Sequence, residues 1–80
     1  MEVNQTPGKF KQGDFVMMLF RTPQGTWKAE HLKDPRYAEH DGKRGRVVDC
    51  MVLDGMYLYT LRISANVELP GIPEDCLRYL

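Results

Sequence analysis

The sequence predicts a small all-β barrel of five short strands, with a long loop after the first strand and a 3₁₀ turn before the last. Three observations predict it. From Gly42 to Ile63, two runs rich in β-branched, aromatic and aliphatic residues flank Asp54-Gly55. Aspartate and glycine tolerate the positive φ that a twist-matched hairpin turn requires. Further apolar runs at 15–20, 67–69 and 77–80 are bounded by Gly and Pro turn signals. Nowhere does the apolar spacing follow a helical period over a useful length.

In chain order, residues 1–9 are polar, contain Pro7-Gly8 and are expected to fray; residues 10–80 form the single domain. Phe15 to Phe20 is the first strand, apolar on both alternating faces, so either it is sandwiched or one face meets a partner. Residues 21–41 are the long connection, with a turn at Thr22-Pro23-Gln24-Gly25. Thr26 to Leu32 fits a short strand or one helical turn before Asp34-Pro35. Gly42 and Gly45 are expected to turn the chain sharply into the hairpin. In the first hairpin strand the adjacent Val47 and Val48 signal a β-bulge or burial on both faces. In the second, Tyr57, Tyr59, Leu61 and Ile63 share a face that excludes Arg62, and that face is placed inward. Ser64-Ala65-Asn66 turns into a short strand, Val67-Glu68-Leu69, closed by Pro70-Gly71. Pro73 followed by Glu74 and Asp75 heads a 3₁₀ turn, and Leu77 to Leu80 closes the sheet.

Eighty residues with a 42% hydrophobic fraction make one domain with a modest core. No apolar run can span a bilayer, and the N-terminus lacks a cationic start and an apolar stretch, so a cytoplasmic protein without membrane contact is expected. Cys50 and Cys76 lack the spacing of a zinc or redox motif and are expected to be free, buried thiols. Eleven basic residues balance eleven acidic ones, which argues against a general nucleic-acid-binding field. The balance is uneven along the chain. Residues 21–46 carry seven basic and four acidic residues, whereas residues 47–80 carry two and five.

Lys11-Gln12-Gly13-Asp14-Phe15-Val16, Gly42-Lys43-Arg44-Gly45-Arg46-Val47, Tyr57-Leu58-Tyr59-Thr60-Leu61 and Ile72-Pro73-Glu74-Asp75-Cys76-Leu77 together resemble the Src-homology-3-like barrel. The resemblance covers residues 10–80. It is similar to the barrels that serve larger enzymes as accessory chains: a small barrel protein of photosystem I, the ferredoxin–thioredoxin reductase variable chain and the nitrile hydratase beta chain. The resemblance implies fold, and hardly function. The plasmid-borne dihydrofolate reductase shares this kind of barrel, but its Val-Gln-Ile-Tyr motif is replaced here by Val67-Glu68-Leu69-Pro70-Gly71-Ile72.

Trp27, His31, Arg36, Tyr37, Arg44 and Arg46 are the candidate partner-binding residues, with the aromatic rings as anchors and the arginines around them. The alternative is that Trp27 and Tyr37 pack the loop onto the barrel. No catalytic, cofactor or metal residues are assigned: His31, His40, Cys50 and Cys76 lack metal-ligand spacing, and the Glu30–His31 and Glu39–His40 neighbours sit in a loop that does not exclude water. The expected function is therefore a non-catalytic protein-binding or accessory module, acting on a protein partner or as a homo-oligomer. Nucleic-acid binding through Lys43, Arg44 and Arg46 beside Gly42 and Gly45 is the alternative.

Overall fold

A computed structural model describes residues 7–80. It is an all-β domain: β1 (Phe15–Met18), β2 (Arg44–Leu53), β3 (Met56–Ser64), β4 (Val67–Pro73) and β5 (Leu77–Tyr79) form one antiparallel sheet in the order β4-β3-β2-β1-β5. The expected barrel is not closed by hydrogen bonds, because β4 and β5 are the two ends of the ladder. The tail expected at residues 1–9 lies partly outside the described residues. Within them, the Lys9 amide donates to Glu74 and the Lys11 ammonium to the Gly8 carbonyl.

The β2–β3 hairpin forms as its sequence dictates. Asp54 (φ 51°) and Gly55 (φ 77°) make a two-residue turn between the paired Leu53 and Met56. The Val47-Val48 doublet is a bulge: the register slips between Val47↔Leu61 and Asp49↔Thr60. Gly42 does adopt a positive φ (84°), but Gly45 lies within β2 and is covered by Leu61 and Ile63.

Inward residues build one core. From β1 come Val16 and Met18, followed by Phe20; from β2, Val47; from β3, Tyr59 and Leu61; from β4, Leu69 and Ile72. Burying each such side chain contributes about 1.5–3 kcal/mol. Tyr57 departs from the inward assignment: it is 36% exposed, because the hairpin outruns the body and no layer covers it there. Ile63 is half-buried. The two-faced first strand resolves in the same way, with Val16 and Met18 inside and Phe15 60% exposed.

Pro70-Gly71 does not end β4. The strand runs through them to Pro73, and the register slips from Leu61↔Leu69 to Tyr59↔Ile72 across that pair. Proline is tolerated because β4 is an edge strand. The 3₁₀ turn before the last strand is present at Glu74–Cys76. Both cysteines are free; Cys76 is fully buried, and burial pushes its thiol up to about 12.

The long loop is self-packed and spends its polar groups on the sheet. Trp27 pairs with Arg21, a 3₁₀ turn covers Glu30–Lys33, and Asp34 caps the short helix α1 (Pro35–Ala38), accepting from the Arg36 amide at 2.9 Å. Asp41 fastens the two ends together: one carboxylate oxygen accepts from the Phe20 amide at 2.8 Å, the other from Arg21 Nε at 3.1 Å. The Tyr37 hydroxyl donates to the Pro70 carbonyl at 2.6 Å, and His31 Nε2 lies 2.8 Å from the Gly71 carbonyl. The loop thus covers carbonyls that the β4 bulge exposes at the sheet edge.

Candidate functional site

The six predicted recognition residues fall into two groups. Trp27, His31, Arg36 and Tyr37 lie on the loop. Tyr37 is 5% exposed, edge-on to His31 (5.2 Å), with the Arg36 guanidinium over its ring at 5.4 Å; Trp27 is half-buried beneath Arg21 at 4.9 Å. These residues fasten the loop. His40 Nε2 faces Glu39 at 3.6 Å, and its buried Nδ1 has no hydrogen-bond partner among the described residues. Among the described residues, no three His, Cys, Asp or Glu side chains gather as metal ligands.

Arg44 and Arg46 form a separate group on the outer face of the sheet. Residues directly opposite in an antiparallel ladder share a face. Arg46 stands opposite both Phe15 and Arg62; Met17 stands opposite both Arg44 and Arg78. Four arginines and Phe15 thus share one surface. The Arg46 guanidinium lies 5.7 Å from the Phe15 ring centroid, and Glu68 holds Arg62 at 2.6 Å. Composition concealed this group, since Arg62 and Arg78 reach it only through the register.

A third feature is the end of the β2–β3 hairpin. β1 pairs with β2 only over Arg44–Arg46, and β4 meets β3 no closer to the turn than Leu58. Beyond those points the hairpin is a two-stranded arm. Met51, Val52, Leu53 and Met56 are each more than half exposed. The pairs Leu53↔Met56 and Met51↔Leu58 fall on one face and Val52↔Tyr57 on the other, so both faces are apolar. No charged residue occurs between Cys50 and Leu53 or between Met56 and Leu61. Alternation that stays apolar on both faces around a tight turn was the available signal for this arm. Its borders are acidic: Asp49 and Asp54 flank it, and Met56 and Tyr57 share a shallow groove with Glu74 and Asp75.

At the base of the arm, the buried Tyr59 hydroxyl donates to Glu74 Oε2 at 2.5 Å and accepts from the Phe10 amide at 3.2 Å. Burial and the Glu74 bond push the Tyr59 phenol far above its ordinary value. Burial alone would raise Glu74, but donation from Tyr59 and the Lys9 amide, with the Lys9 charge, holds its carboxyl below the usual value. A depressed folded-state pKa gives stability that is present above the ordinary value of 4.5 and lost as pH falls through the lower folded value. Denaturant midpoints measured from pH 6 to pH 3 are therefore expected to fall more steeply for the native chain than for Glu74→Gln. Parallel curves would remove Glu74 from this role.

No protein-family profile, curated protein or solved structure matches the chain. No helix among the described residues is long and apolar enough to cross a membrane.

Proposed function

We propose that this chain is a non-catalytic protein-binding module that docks a different protein through its hairpin arm. The arm itself carries this reading. An isolated two-stranded hairpin is marginal in water, and monomeric proteins rarely expose contiguous apolar patches above a few hundred Å². This arm exposes apolar side chains on both faces and leaves the β2 edge beyond the bulge without a ladder partner among the described residues. Such an edge accepts an added strand, whose main-chain bonds give affinity while flanking pockets give specificity. The methionines at 51 and 56 adapt to an irregular partner surface. The acidic border at Asp49, Asp54, Glu74 and Asp75 selects an apolar partner surface with a basic rim, and it disfavours a symmetric contact between the hairpin arms of two copies, which would bring like charges together.

A photo-crosslinking residue at Leu53 is expected to give a discrete adduct with another protein in extracts of the native cells, and the same residue at the exposed Gln24 is not. The Met51→Ser/Met56→Ser variant is expected to abolish the adduct while changing unfolding free energy by no more than about 0.5 kcal/mol per site. Adducts only between copies of the chain, or equal labelling at both positions, would overturn the proposal.

A further inference from the structure

The outer face of β3-β2-β1-β5 carries charge that the fold does not need. Arg46 and Arg62 stand directly opposite each other, an arrangement that destabilises a sheet. Glu68 on β4 relieves Arg62 alone. Arg44, Arg46 and Arg78 have no ion pair among the described residues. A local rule broken without a packing gain marks a functional position. Phe15, 60% exposed, and Met17 stand among these arginines, and Thr60 with Asp49 opposite it continues the face toward the hairpin end.

The spacing is that of a strand-tracking surface. From β3 to β5 the face spans three interstrand steps, about 14 Å, and Arg44 and Arg46 lie about 7 Å apart along β2. An exposed aromatic ring among guanidiniums offers both components of single-strand recognition, a π-face for base stacking and cations for the phosphates. A duplex needs an element that enters a groove, and this face is a sheet surface. An acidic peptide would use the arginines and leave Phe15 unexplained.

We propose that the face formed by Phe15, Arg44, Arg46, Arg62 and Arg78 binds single-stranded nucleic acid. The neutral net charge of the chain provides no general attraction for nucleic acid, so binding has to come from a local cluster such as this one. The site is independent of the hairpin arm.

Fluorescence anisotropy with labelled twelve-nucleotide oligo(dT) and oligo(U) tests it. With three unpaired arginines neutralising phosphates, the logarithm of affinity is expected to fall with the logarithm of salt at a slope of about −2, a loss of about 100-fold between 20 and 200 mM. Arg46→Thr is expected to reduce the slope by about 0.7. Phe15→Ser is expected to weaken binding by about 5-fold or more without altering the slope, because stacking releases no counterions. Met51→Ser/Met56→Ser is expected to bind as the native chain does, so failure of this proposal and failure of the hairpin reading are separable. No binding at 20 mM salt, a slope unaffected by Arg46→Thr, or equal binding of a duplex, an oligoglutamate peptide or phosphatidylserine vesicles would overturn it.

Discussion

Tyr59→Ala is expected to destabilise the protein by about 3–5 kcal/mol. A domain of this size holds only about 4–12 kcal/mol in total, so the variant sits near its unfolding transition at room temperature. Two losses combine. The ring is fully buried and packs edge-on against Phe10, with centroids 5.5 Å apart. Its hydroxyl also joins three segments, accepting from the Phe10 amide and donating to Glu74, which in turn accepts from the Lys9 amide. Tyr59→Phe removes only the two hydrogen bonds of that junction, at a cost of about 1–3 kcal/mol. Equilibrium denaturation by urea measures both. A Tyr59→Ala midpoint close to that of the native chain would show that the core is not centred on this ring.

Gly8→Ala is expected to cost about 1–3 kcal/mol, although residue 8 lies near the start of the described chain. A Cβ at this position would overlap the Tyr59 hydroxyl and lie 2.8 Å from Glu74 Oε2. The fully buried Tyr59 ring cannot swing aside, and the Glu74 carboxylate could do so only by giving up its bond to the Tyr59 hydroxyl. The segment would instead lift away and take Phe10, a fully buried residue, with it. The test is a double-mutant cycle with Tyr59→Phe, in which the clash with the hydroxyl is gone and most of the Gly8→Ala cost should disappear. Additive costs would place the penalty elsewhere.

Local chemistry made much of the fold legible in the sequence. Asp54-Gly55 specified the turn and Pro73-Glu74-Asp75 the 3₁₀ turn, while the Val47-Val48 doublet narrowed its strand to a bulge or burial on both faces, of which the bulge formed. What escaped depends on where cover ends and which strands meet. Alternation placed Tyr57 with Tyr59, yet only Tyr59 has a layer above it. Pro70-Gly71 resembled a stop; on an edge strand it is a bulge whose carbonyls the loop receives. The arginine face was invisible for a similar reason. Arg78 joins Arg44 only because both flank Met17, and no local pattern links residues so distant in sequence. Of the candidate site, the loop aromatics were found as a group, and the structure shows them fastening the loop.

Asp41 ties the amide of Phe20 and the guanidinium of Arg21 to the far end of the excursion. The nineteen residues between Arg21 and Asp41 therefore leave and re-enter the body through one doorway. Doubling the length of such a segment costs only about 0.6 kcal/mol in closure entropy. The chain has, in effect, a cassette that can be enlarged at its exposed turn without prying the strands apart, provided the latch, the two carbonyl fastenings on β4 and the buried Leu32 and Tyr37 are kept.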